Sequence, residues 1–158
     1  STSGQTELGA LFDRIAEMLG PRFREGTNRL EVAIERGIEV RGTPLTLEHI
    51  FINLLNNACD AAQGVATIKV WSARREPRDE HVSLHIVDDG PGVPASVKAS
   101  IFDPFFSTKS HGSGLGLCLA REAAREIGGD LYLLEPEAEE GAHFEVRLRL
   151  GARREEAA

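Results

Sequence analysis

Apolar residues along the chain switch between two periods. Leu8, Leu11, Phe12, Ile15, Met18 and Leu19 recur at the i, i+3, i+4, i+7 spacing of one helix face. The pattern predicts a helix over residues 7–20, closed by Pro21 and Gly26. In "RLEVAIERGIEV" the period becomes two, through Leu30, Val32 and Ile34, which predicts a strand with a short partner after Gly37. "RGTPLT" reads as a turn with Thr46 as the N-cap of a long helix from Leu47 to Ala62, a stretch free of Gly and Pro. Alternation returns over residues 66–75 and 81–88, joined by the charged loop "REPRDE". A further helix is expected from about Gly114 to Ile127, ending at Gly128-Gly129, and then two strands, "DLYLLE" and "HFEVRLRL". This order predicts an α/β fold: a two-layer sandwich with a mixed β-sheet and about three helices on one face.

Residues 89–113 break the pattern. They are rich in Gly, Pro, Ser and Phe, with at most a short helix near Ala95 to Ile101. A segment this long without regular structure inside one domain reads as a binding loop or lid. It runs into "SHGSGLGLCLA", where Gly112, Gly114 and Gly116 alternate just before the helix. A helix start offers unpaired N–H groups and partial positive charge, so an anion is the natural ligand, and a plain flexible loop is the bland alternative.

Composition narrows the class. The 158 residues are 41% hydrophobic and 27% charged, as in one ordinary soluble domain. A net charge of -7 with no basic run argues against nucleic acid, yet leaves room for a phosphate held by backbone N–H groups and a metal ion. The two cysteines, Cys59 and Cys118, sit in apolar helical patterns and read as small buried residues. No signal peptide or long apolar span is present, which fits a cytoplasmic domain with no membrane contact of its own. Residues 1–6 read as a linker or cloning remnant, 7–150 as one domain and 151–158 as a flexible tail, the whole being a piece of a larger protein.

Three further stretches carry candidate chemistry. In "HIFINLLNNACDAA", His49, Asn53 and Asn57 are four apart and Asp60 follows three later, so they share a helix face. Asn is a poor helix former, and its recurrence there suggests amide oxygens for a hard cation such as Mg²⁺; a solvated polar stripe is the alternative. In "VDDGPGVP", a strand ends at Asp88, and Gly90 and Gly92 permit a tight turn and close backbone approach; taken alone, a simple turn accounts for it. In "IFDPFFSTKS", Phe102, Phe105 and Phe106 need an apolar seat on the body or on a partner, and Lys109 offers a cation beside the glycine run. No P-loop occurs, and "GSGLGL" places Leu117 where a dinucleotide fingerprint needs its last glycine.

In this order and at these gaps, the stretches resemble the ATP-binding catalytic domain of sensor histidine kinases, in the group that includes gyrase B, Hsp90 and MutL. "NLLNNACDA" looks like the N box, "DDGPGV" the G1 box, "FDPFFSTK" the F box and "GSGLGL" the G2 box. The resemblance covers about Leu8 to Leu150 and implies a Bergerat-type sandwich with an ATP lid over about residues 93–112. It implies that Asn57 ligates Mg²⁺, that Asn53 sits near the phosphates, and that Asp60 belongs to the same wall. Asp88 would accept the adenine amino hydrogen beside Gly90 and Gly92; Gly112, Gly114, Leu115, Gly116 and Leu117 would offer N–H groups to phosphate; Lys109 would meet the γ-phosphate.

Two departures stand out: "GAHF" has Ala142 where many relatives place a Thr that supports the adenine-binding Asp, and His49 replaces a common Gln. Gyrase-like relatives carry a water-activating Glu at the position of Asn53, and an amide cannot serve as that base. The resemblance therefore implies phosphoryl transfer to a histidine on upstream dimerisation helices of the same protein, with a response regulator as the next partner and this piece monomeric. None of the five histidines, His49, His81, His85, His111 and His143, has the sequence context of an acceptor. Two alternatives share the fold: an anti-sigma-factor type of serine/threonine kinase, and a nucleotide-sensing module without catalysis.

Overall fold

The computed structural model describes residues 4–24, 28–62, 65–107 and 114–152. A five-stranded sheet forms the frame, with strands β2 (Arg29–Ala33), β4 (Thr67–Ala73), β5 (His81–Asp88), β6 (Asp130–Leu134) and β7 (His143–Arg149). Their order across the sheet is β2-β4-β5-β7-β6. The β2–β4 pair is parallel and the other three are antiparallel, so the sheet is mixed as expected. Alternation on β5 and β7 turns Val82, Leu84, Ile86, Phe144, Val146 and Leu148 into the core. Helices α1 (Leu8–Met18), α3 (Pro44–Ala61) and α4 (Gly116–Glu126) contribute the opposing layer, with Phe51, Leu54, Leu55 and Leu47 of α3 fully buried. At about 25 cal/mol per Å² of apolar surface, this continuous core is the main stabilising term.

Several local expectations are corrected. Gln5–Glu7, inside the expected linker, forms strand β1, which pairs antiparallel with β3 (Glu39–Arg41) in a separate two-stranded sheet. The short strand after Gly37 therefore partners β1, and β2 instead pairs with β4. Pro21 does not end the first helical region but lies in the first turn of a short helix, α2 (Gly20–Arg24), where a missing N–H costs nothing. Helix α3 begins three residues before Leu47: Thr43, not Thr46, is its N-cap, and Thr43 accepts the Thr46 N–H at 3.3 Å. Pro44 then occupies the first helical position, which its fixed φ suits. Between β5 and α4 the chain makes only a 3₁₀ turn at Lys98–Ser100 among the described residues.

Candidate functional site

A cavity of about 620 Å³ opens between α3, the segment after β5 and the start of α4. Asn53, Asn56, Asn57 and Asp60 of α3 form one wall; Gly92, Val93, Val97, Ile101 and Phe106 form another; Gly114, Gly116 and Leu117 close it. Of the expected residues, the structure thus brings together Asn53, Asn57, Asp60, Gly92, Gly114, Gly116 and Leu117. Asp88, Gly90 and Leu115 lie off its surface. Lys109 and Gly112 lie outside the described residues. His49, expected on the same helix face, is exposed and does not line the cavity. It meets Asn53 instead, whose Nδ2 donates to the His49 carbonyl at 2.9 Å and lies 3.3 Å from its Nε2.

One end of the site is built from backbone. Asp88 closes β5 and is only 5% exposed. Its Oδ1 accepts the N–H of Gly90 at 2.9 Å and of Ala142 at 3.1 Å. Burial pushes its carboxyl above the usual carboxylate range, against the pull of the Ala142 and Gly90 N–H groups. Oδ2 carries no bond among the described residues and remains a fixed acceptor. At position 142, where many relatives have Thr, this chain has no side-chain hydroxyl, and the contact to Asp88 from this residue is its main-chain N–H.

Tight approach explains the glycines. Gly92 has φ +78°, which few other residues adopt, and a Cβ there would stand 2.9 Å from the Gly141 carbonyl oxygen. A Cβ on Gly141 would collide with Asp88 Oδ1 and the Gly90 backbone. Gly141 opens the "GAHF" stretch but was no candidate there; the three-dimensional approach of two loops reveals its role. Gly114, at φ +73°, packs against the Phe105 backbone, and Phe105 itself has φ 65°. Of the three phenylalanines, Phe102 and Phe106 are half-buried, Phe102 lying beneath the Arg121 guanidinium (4.7 Å) and edge-on to Phe144 (6.4 Å). Phe105 is 75% exposed.

The other end is a helix start. Helices α1 and α3 are capped by their own side chains, Glu7 and Thr43. The N-cap residue of α4, Leu115, has no side-chain acceptor and makes no side-chain cap. The first-turn N–H groups of α4 and the positive end of its dipole meet the cavity at Gly116 and Leu117. Asn53 Oδ1 would lie 3.4 Å from a Cβ placed on Gly116, so α3 and α4 touch at this mouth. An anion placed here meets backbone donors and side-chain amides.

Asn56 also lines the cavity and was missed among the candidates. The side-chain oxygens of Asn53 and Asn57 suit a hard divalent cation that keeps water and ligand oxygens around it, whereas Asn56 Oδ1 is already taken by Arg22. Among the described residues no group of three or more His, Cys, Asp or Glu could hold a metal by itself.

A mixed sheet with helices on one face, and a cavity between α3, the segment after β5 and the start of α4, make this an α/β sandwich. The chain belongs to the family of histidine kinase-, DNA gyrase B- and HSP90-like ATPases, whose sequence model matches residues 42–152. It is 38% identical over 152 residues to the two-component sensor PprA of Pseudomonas aeruginosa, covering 90% of this chain and 16% of PprA. It is 37% identical over 150 residues to the sensor histidine kinase GtrS of the same species, covering 92% and 29%. The chain therefore spans less than a third of the length of these relatives. The catalytic domain of the histidine kinase ThkA superposes with a TM-score of 0.80 at 24% identity, over 92% of this chain and 94% of that domain, and shows the shared fold. The mycobacterial sensor histidine kinase MprB gives 0.77 at 25% identity, over 94% and 100%.

Proposed function

We propose that this chain binds Mg-ATP and supplies its γ-phosphoryl group to a histidine on a dimerisation and acceptor domain of the full protein, in two-component signalling. The observation that carries this reading is a buried, backbone-clamped Asp88 packed behind the Gly92 wall of a cavity that the start of α4 also lines. Asp88 is the acceptor for the adenine amino group, and Gly90 and Gly92 let the flat base approach the main chain. Gly112, Gly114, Leu115, Gly116 and Leu117 offer N–H groups to the triphosphate, with Asn53 and Asp60 on the facing wall and Lys109 as the γ-phosphate's cation. Mg²⁺ on Asn57 would neutralise phosphate charge when bound.

The chain's own contribution is to position and to stabilise charge rather than to form covalent bonds. In the transfer the bond from the γ-phosphorus to the bridging oxygen breaks, a bond to an imidazole nitrogen forms and ADP leaves. Asn53, a neutral amide, activates no water, which favours transfer over hydrolysis. GtrS is named as a sensor histidine kinase and PprA as a two-component sensor, which favours a histidine acceptor over a serine and a kinase over a passive sensor. ThkA has been solved with its response regulator TrrA, and a response regulator is the corresponding partner proposed here. Among the described residues no helix is long and apolar enough to cross a membrane, and we place the domain in the cytoplasm, monomeric by itself.

The test joins the native upstream segment to this chain and adds Mg-ATP. Phosphate that is labile in acid and stable in base is expected on the upstream histidine. Acid-stable phosphoserine, or no transfer despite ATP binding, contradicts the reading.

A further inference from the structure

Arg22 belongs to none of the motifs above. It sits in the five-residue helix α2, and its guanidinium reaches across to α3. Nη1 donates to Asn56 Oδ1 at 2.7 Å, and Nη2 donates to Asp60 Oδ1 at 2.8 Å. Asn56 and Asp60 line the cavity, whereas Arg22 does not. Arg22 is held at its root as well: its carbonyl accepts from Asn28 Nδ2 at 3.1 Å, and the buried Asn28 accepts the Ala66 N–H at 2.9 Å, just before β4. The guanidinium is thus mounted on the sheet edge and aimed at the back of the α3 wall.

Two consequences follow for a polyphosphate in the cavity. An amide can present either its oxygen or its nitrogen, and the wrong choice would set an acceptor against phosphate oxygens. With Oδ1 engaged by Arg22, Asn56 keeps two Nδ2 hydrogens, which no acceptor among the described residues takes. Asp60 places a negative charge on the same wall, which repels a triphosphate unless a cation offsets it. Arg22 supplies that cation in a planar fork whose two separate nitrogens, Nη1 and Nη2, each reach one of the two acceptors.

We propose that Arg22 is a positioning residue for polyphosphate recognition: it fixes Asn56 as a donor and offsets the charge of Asp60. The proposal rests on the ATP reading above.

Calorimetric titration of Mg-ATP, Mg-ADP and adenosine separates the two. For Arg22→Gln, Mg-ATP affinity is expected to fall by about tenfold, Mg-ADP by less, and adenosine by no more than about twofold. Adding Asp60→Asn to Arg22→Gln is expected to restore at least half of the loss, because the repelling charge is gone. Arg22→Lys is expected to lie between the wild type and Arg22→Gln. A merely structural tie between α2 and α3 would weaken adenosine as much as ATP, would lower the thermal unfolding midpoint in parallel, and would not be rescued by Asp60→Asn; any of these overturns the proposal. Unchanged Mg-ATP affinity in Arg22→Gln also overturns it. A wild-type chain that binds adenosine but not Mg-ATP, or neither, overturns the functional reading itself, and this proposal with it.

Discussion

Two regions of the site, one around Asp88 and one on α3, are made of different material. The Asp88 end is main chain: one buried carboxylate, two N–H donors, and glycines at 90, 92 and 141 packed where no Cβ fits. The α3 end is side chain: amides and a carboxylate on one helix, half-buried or exposed, arranged by hydrogen bonds to Arg22 and His49. Backbone donors cannot be exchanged by mutation and their spacing is fixed by the fold, so that end suits a ligand part of constant shape. Side chains can be exchanged one at a time, so the other end is where affinity and metal dependence can be tuned. Damage to the packed glycines of the first end is expected to cost both folding and binding; damage at the second, binding alone.

Gly141→Ala breaks the comparison hardest. The new Cβ meets Asp88 and the Gly90 backbone, both held in place, and the strain is expected to cost about 2–3 kcal/mol of stability together with nucleotide binding. Chemical denaturation with a parallel titration checks this, and a variant of normal stability would show that the loops give way. Asp88→Asn separates folding from binding at the same end. It replaces an acceptor with an amide, and Mg-ATP affinity is expected to fall by about a hundredfold, with the wild-type preference for ATP over GTP, roughly tenfold, lost. Stability moves the other way. Burial raises the Asp88 pKa in the folded state, so its contribution is fully present below the unfolded value of 3.8 and is lost as pH rises through the raised folded value. At neutral pH the charge therefore costs stability, and Asp88→Asn is expected to unfold at the same or a higher temperature than the wild type. A clear drop in midpoint would mean that the carboxylate supports the fold.

At the α3 end, Asn57→Ala is expected to abolish most of the Mg²⁺-dependent gain in ATP affinity, about tenfold, with an unchanged unfolding midpoint. A full Mg²⁺ response in that variant would move the metal elsewhere. The smallest effect lies outside the cavity, on the sheet. His85 Nδ1 is 2.8 Å from His143 Nε2, with Trp71 stacked on the His85 ring. Burial, aided by the charge of His143 and opposed by Glu145, holds His85 below its ordinary value. Its stabilising share is present above the unfolded value of 6.5 and is lost as pH falls below it. Thermal unfolding between pH 7.5 and 5.5 is expected to show a fall of a few degrees, on the order of 1 kcal/mol, that His85→Gln flattens. An identical pH profile in the variant would remove His85 from the account.

The sheet and the three long helices were legible in the sequence because burial on one face imposes a period: Val82, Leu84 and Ile86 alternate, and Leu8, Leu11, Phe12 and Ile15 follow the helix. The wall of Asn53, Asn57 and Asp60 was legible for the same reason, since spacing on a helix fixes a face. Three residues of β1 carry too little pattern to be seen, and their pairing with Glu39–Arg41 spans more than thirty positions. Thr46 looked like a cap because it precedes the apolar run, but Pro44 starts the helix earlier and hands the role to Thr43. Gly141, Asn28 and Arg22 act through contacts between distant segments, for which local spacing carries no signal. Ala142 is the instructive case: the missing Thr side chain was legible in the sequence, whereas the main-chain N–H that this residue gives Asp88 was not.

The central claim is that one nucleotide spans both ends, from Asp88 to the start of α4. Amide hydrogen exchange with and without Mg-ATP tests it most directly, because it reads the backbone groups said to hold the ligand. The account expects strong protection at Gly114 to Leu117 and at Gly90 to Val93 when Mg-ATP is added, with β2 and β6 unchanged. Equal exchange at residues 114–117 in both states would contradict it.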